Sequence, residues 1–189
     1  MKINFRKMAV MVPVLLLVLS GCSKGSSASK NGFTLQSAAF GNKEPIPEKY
    51  WNGYSEERKN ISIPFNWINP PEGTQSFVLL LTHPHNGGRR IFWAVFNIPA
   101  SCNAIPEDAS SANLPDGSIE MDNYFRASGY YGPEPLRGGG VYEWTATLFA
   151  LNTAIPGPDK RLDYVEVEQL LEGKILGQAE IIGTASAER

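Results

Sequence analysis

A chain of 189 residues with 17 Lys and Arg against 19 Asp and Glu has a net charge of −2 and no basic stripe, which makes it a poor nucleic-acid binder. Its two cysteines exclude a disulfide-stapled scaffold, and its two histidines leave little for a metal centre. Fourteen Pro and 18 Gly are spread along the whole length between short apolar runs, the punctuation of an all-β sandwich rather than a helical bundle.

The chain begins with Lys2, Arg6 and Lys7, an apolar core from Met8 to Leu19, and then Leu19-Ser20-Gly21-Cys22. About a dozen apolar residues fall short of the ~20 that span a bilayer, so residues 1–21 read as a signal peptide. The Leu-Ser-Gly-Cys order resembles the lipobox of bacterial lipoproteins, in which the cysteine is acylated. That likeness implies a mature protein that starts at Cys22 and is held on a membrane of the cell envelope. Ser23 after the cysteine resembles outer-membrane sorting, with the domain on the periplasmic side in a Gram-negative host. Residues 22–32 then form the lipidated end and a Ser- and Gly-rich flexible tether. The domain proper is 33–189, without internal repeats or a second linker. With Cys22 acylated, Cys102 has no partner in the chain, and it reads as a small buried hydrophobe.

Within the domain, Phe33-Thr34-Leu35-Gln36 alternates as a half-buried strand. Ser76 to Thr82 is a near-continuous apolar run, expected of a central strand covered on both faces. Phe92 to Ile98 predicts a second strand, and Val141 to Leu151 a third, rich in β-branched and aromatic residues. Between them Ala100 to Arg137 carries Pro106, Pro115, Asp116-Gly117, Gly129, Gly132, Pro133 and Pro135, and is expected to be long loop. Asp163 with Glu166 forms a capping-box pattern ahead of a short helix that Gly173 stops, with Val167, Leu170 and Leu171 on one face. Lys174 to Thr184 is read as a closing strand. The fold class is therefore all-β with a short C-terminal helix, as a two-sheet antiparallel sandwich.

Both histidines fall in His83-Pro84-His85, at the end of one strand and just before the turn Asn86-Gly87-Gly88. That is a common way to place a site at a sheet rim. Around it, Asn60-Ile61-Ser62-Ile63-Pro64-Phe65-Asn66-Trp67 resembles the Asn-x-Ser-Pro-Pro-Leu-x-Trp signature of the phosphatidylethanolamine-binding proteins, in their bacterial Raf-kinase-inhibitor-like branch. Pro71-Glu72-Gly73-Thr74-Gln75-Ser76-Phe77, Trp93-Ala94-Val95-Phe96-Asn97-Ile98-Pro99-Ala100 and Gly129-Tyr130-Tyr131-Gly132-Pro133-Glu134-Pro135 resemble further motifs of that family in the same order. Val141-Tyr142-Glu143-Trp144 resembles the end of its His-Arg-Tyr strand.

The resemblance implies a sandwich with a small end pocket for phosphate, phosphoryl head groups or similar anions. It places His83, His85, Phe92, Gly132, Pro133, Glu134 and Tyr142 around that pocket. The family's two Asp positions are held by His83 and His85, its His before Trp by Phe92, and the His and Arg of His-Arg-Tyr by Gly140 and Val141. Pro84, Gly132, Pro133 and Tyr142 keep the family residue. Fold thus carries over further than ligand, because function lives in the site. Imidazoles can donate to an anion where carboxylates cannot, and Arg89, Arg90 and Arg137 lie in adjoining loops.

The leading expectation is a membrane-tethered, non-enzymatic binding protein with no cofactor and no metal. Its expected partners are the membrane, through the lipid anchor, and a small anionic or phospholipid head-group ligand. Its pocket is either adapted to that ligand or degenerate. One alternative is an interaction scaffold that uses the Ala100 to Arg137 loop. Another is a metal-dependent or hydrolytic enzyme built on His83, His85 and Glu134. Two His and one Glu make a thin ligand set, and no Gly-x-Ser-x-Gly elbow accompanies them.

Overall fold

The structure is a computed structural model and describes residues 32–53 and 55–187. The proposed signal peptide, Cys22 and nearly all of the tether lie outside these residues. Nine strands and one α-helix follow in chain order among the described residues. The strands are β1 (Thr34–Gln36), β2 (Glu44–Pro45), β3 (Phe65–Ile68), β4 (Ser76–His85), β5 (Gly88–Pro99), β6 (Ala104–Ile105), β7 (Ile119–Glu120), β8 (Tyr142–Leu151) and β9 (Ile175–Ala185). The helix α1 (Tyr164–Leu171) precedes β9.

β4 explains the layering. Its side chains alternate, and both faces are apolar. Phe77, Leu79 and Leu81 enter one buried cluster together with Leu35, Phe65, Trp67 and Ile105 from the three-stranded sheet β1-β3-β6. Val78 and Leu80 enter a second cluster with Phe149, Val167 and Leu171, beneath α1. β4 is accordingly an interior strand of the six-stranded sheet β2-β9-β8-β4-β5-β7. Pairing is antiparallel throughout the long strands, while the two-residue β2 departs from the expected pattern by running parallel to β9.

α1 is set by its cap. The Asp163 side chain accepts from the Glu166 amide at 2.9 Å and the Glu166 carboxylate accepts from the Asp163 amide at 2.8 Å, so two otherwise unpaired donors are satisfied reciprocally. Val167 and Leu171 are buried and Leu170 packs at the margin. Gly173 stops the helix at φ +72°.

Two irregularities in β5 position the site. The β4–β5 hairpin turns on Asn86 and Gly87, both at positive φ (46° and 79°), the backbone that a two-residue hairpin turn requires. Further along, Leu81 pairs with Trp93 but Thr82 pairs with Ile91, so Phe92 is an extra residue in the ladder. The bulge turns Phe92 and Trp93, neighbours in sequence, into the same inter-sheet core.

Candidate binding site

The bulged Phe92 is the floor of a cluster of rings at one end of the sandwich. Its ring meets His83 edge-on at 6.2 Å, Trp144 at 6.3 Å, Tyr131 at 6.1 Å and Phe125 at 6.2 Å between centroids. His83 lies flat on Trp144, with centroids 4.6 Å apart and planes 22° from parallel, and its ring is 5.7 Å from that of Tyr142. Tyr142 and Trp144 are two apart on β8 and so share a face. Phe125 and Tyr131 close the cluster at 4.4 Å.

His83 is oriented by one hydrogen bond. Its Nδ1 lies 2.8 Å from the Glu143 carbonyl oxygen, which can only accept, so Nδ1 carries the proton and donates. In the neutral ring Nε2 is then an acceptor. His85 has a different setting, because the Arg90 guanidinium donates to its Nε2 and thereby requires that nitrogen to be unprotonated. Desolvation, followed by the positive charge of Arg90 and the nearby His83, holds the His85 pKa below its ordinary value. Arg90 in turn stacks on Tyr124, its guanidinium carbon 3.9 Å from the ring centroid. The two imidazoles therefore stand in different contacts, although they are two residues apart on β4.

The loop from Gly129 to Pro135 forms the opposite wall, and the Asn60 motif fixes it. The Asn60 side chain accepts from the Gly132 amide at 2.8 Å and donates to the Tyr130 carbonyl at 3.3 Å. A Cβ on Gly132 would lie 1.9 Å from the Tyr50 carbonyl oxygen, so only glycine allows this approach. The Pro133 carbonyl accepts from the Asn52 amide at 3.1 Å, and the Tyr131 amide donates to the Phe92 carbonyl at 2.9 Å, stitching the loop to the bulge. Glu134 is exposed, its carboxylate accepting from the Tyr131 hydroxyl at 2.6 Å and the Asn52 amide group at 3.5 Å.

Of the residues that sequence placed around the pocket, His83, Phe92 and Tyr142 share ring contacts. Gly132, Pro133 and Glu134 join them through Tyr131, and His85 is engaged by Arg90. Gly140, which stands at a family histidine position, is exposed, and nothing lies within 4 Å of where its Cβ would be. Trp144, Phe125 and Tyr131 were missed as wall members. Trp144 was legible, since it follows Tyr142 by two on a strand, whereas Phe125 reaches the cluster only through the fold. Among the described residues no three His, Cys, Asp or Glu side chains converge to hold a metal ion.

A two-sheet sandwich with a ring-lined end, walled by the bulged strand and a glycine–proline loop, defines the class of this protein. Residues 36–186 match the family model of the phosphatidylethanolamine-binding proteins, and the chain belongs to that family. It is 36% identical over 148 residues to a UPF0098 protein of Aquifex aeolicus, covering 78% of this chain and 84% of that one. A Mycobacterium tuberculosis protein named as a lipoprotein, LppC, is 29% identical over 154 residues, or 80% of this chain and 71% of that one. The crystal structure of Escherichia coli YbcL, a member of the same family, superposes with a TM-score of 0.74 at 26% identity, over 82% of this chain and 98% of that one.

Proposed function

We propose that the chain is a membrane-tethered, non-enzymatic binding protein of the cell envelope, anchored through an acylated Cys22. At the ring-lined end of its sandwich it takes a phosphoryl head group or similar small anion. The observation that carries this reading is the setting of His83. Its Nδ1–H is committed to a main-chain carbonyl, its faces and edges to Trp144, Phe92 and Tyr142. A catalytic imidazole is oriented by an acid and stands against a nucleophile or reacting proton. Here the imidazole instead offers one polar edge in an aromatic surround, which suits holding a ligand that is part anionic and part apolar.

Because Nδ1–H is already used, His83 can donate to an anion only when Nε2 is also protonated. Binding should therefore strengthen as pH falls. Phosphoethanolamine is expected to move the Trp144 and Tyr142 ring NMR signals with tighter binding at about pH 5.5 than at about pH 8, and those ring shifts should be lost in His83→Ala. Ring shifts with equal affinity at both pH values, or ring shifts that survive His83→Ala, would overturn the assignment. Trp144 Nε1–H, buried without an acceptor among the described residues, is a second unspent donor beside this imidazole.

A second reading is favoured by one observation. Phe125 at the edge of the ring cluster, Tyr124 beside it, and Leu136 and Val141 beyond it are large apolar side chains left exposed. They suit a protein partner contacted through the Ala100 to Arg137 segment, with the sandwich as scaffold. Retention of a partner from envelope extracts by the wild type and its loss with Phe125→Ser would favour this reading.

A further inference from the structure

The arginines of the β4–β5 hairpin open on a cavity away from the ring cluster. It has a volume of about 310 Å³ and is bounded by β5, the 122–126 segment and the entry to α1, and it shares none of the ring cluster's His83, Phe92, Tyr142 and Trp144. Arg89, Arg90, Arg126 and Arg161 line it, together with Asp122 and Asp163.

The two carboxylates are already occupied. Asp122 pairs with Arg161 at 3.5 Å, and Asp163 caps α1 by accepting from the Glu166 amide. Among the described residues, Arg89, Arg90 and Arg126 have no carboxylate within ion-pair distance. Arg89 donates through Nε to the Thr82 hydroxyl at 2.9 Å, and Arg90 spends one Nη on His85. The Arg90 Nε–H is buried and finds no acceptor among the described residues. A buried donor of a charged group left without an acceptor is costly, and a guanidinium has five donors to satisfy. Four guanidinium groups against two carboxylates leave this concavity net positive, in a protein of net negative charge. Arg90 is held in place by its stack on Tyr124, which leaves its planar donors preorganised for the oxygens of a tetrahedral anion.

We infer that this cavity is a second binding site, for a phosphoryl group, lying apart from the ring-lined end. Arg126 and Arg161 form its outer side, both exposed. Arg90 forms its inner side, held by Tyr124 and His85. The chemistry is shared by the free phosphate ion and by the phosphodiester of a lipid head group.

The full chain, purified in detergent, is titrated with inorganic phosphate in one arm and with glycerophosphoglycerol, a deacylated lipid head group, in the other. Arginine Nε–H and tyrosine ring NMR signals are recorded alongside calorimetry. The expected result is saturable binding that moves the Arg90, Arg89 and Tyr124 signals and weakens steeply with added salt, read separately from any shift of the His83 and Trp144 rings. Arg126→Glu should weaken binding about tenfold or more at unchanged melting temperature, because a reversed charge faces the anion, and Arg161→Glu should weaken it as much while also losing the Asp122 ion pair. Tighter binding in one arm identifies the free ion or the head group as the source. Since the readout is local, it separates this site from the ring-lined one. Shifts confined to the His83 and Trp144 rings, unchanged affinity in both charge-reversal variants, or no binding in either arm would overturn the inference.

Discussion

The Asn60 side chain accepts from the Gly132 amide at 2.8 Å, across 72 positions of sequence, and so ties the chain before β3 to the loop that walls the candidate site. The same side chain donates to the Tyr130 carbonyl, and Asn60 itself sits at φ +52°, a backbone region that asparagine tolerates better than most residues. A family motif thereby acts as a loop clamp.

Removing the clamp should loosen the wall without unfolding the sandwich. Asn60→Ala leaves the Gly132 amide and the Tyr130 carbonyl unpaired in a part-buried setting, at a cost of ~1–3 kcal/mol. Chemical denaturation should show that loss, and amide exchange at residues 130–133 should speed up more than in β4 or β8. Uniform acceleration across the domain would show that Asn60 is not a local clamp.

Trp67 and Trp93 should behave as structural residues. Both are essentially inaccessible; Trp67 packs on Phe77 at 5.2 Å, and Trp93 Nε1 donates to Glu120 at 2.6 Å. Truncating a buried aromatic to alanine typically costs ~3–5 kcal/mol. Trp67→Ala should lower the melting temperature sharply. A variant that melts like the wild type but has lost ligand would reverse this assignment.

Histidine 85 should make the protein less stable in mild acid. Its folded pKa lies below the unfolded value, chiefly through desolvation and then through Arg90. The unfolded chain therefore binds more protons in that window. Stability falls as pH drops through about 6.5, and the penalty is complete only below the folded pKa. The wild type and His85→Gln should show a constant stability difference from about pH 7 to pH 8, and the wild type should lose relative stability below about pH 6.5. Parallel curves down to about pH 4.5 would exclude the effect.

Cys22 should be the acylated first residue of the mature protein, because Leu19-Ser20-Gly21-Cys22 directly follows the apolar core. Cys22→Ser should leave the precursor uncleaved or release the protein from membranes. Normal cleavage with undiminished membrane retention would rule out the anchor.

What sequence determined here was local. The apolar run from Ser76 to Thr82, the Asp163–Glu166 capping pair and the Asn86-Gly87 turn each act over a few residues, and each appears in the structure where the pattern puts it. Motif order likewise made the family and the sandwich legible. β2, β6 and β7, at two residues each, carry no readable period, and their pairing is decided by the partners that the fold brings alongside. Spacing of two suggests that His83 and His85 act together. Tertiary structure gives them different contacts, since Trp144 and the Glu143 carbonyl engage the first imidazole and the Arg90 guanidinium the second. Only the fold assembles Arg89 and Arg90 with Arg126 and Arg161 around one cavity. The physical reason is that a pattern reports interactions along the chain. A site here is made of side chains tens of residues apart, and their charges and rings meet only once the sheets have packed.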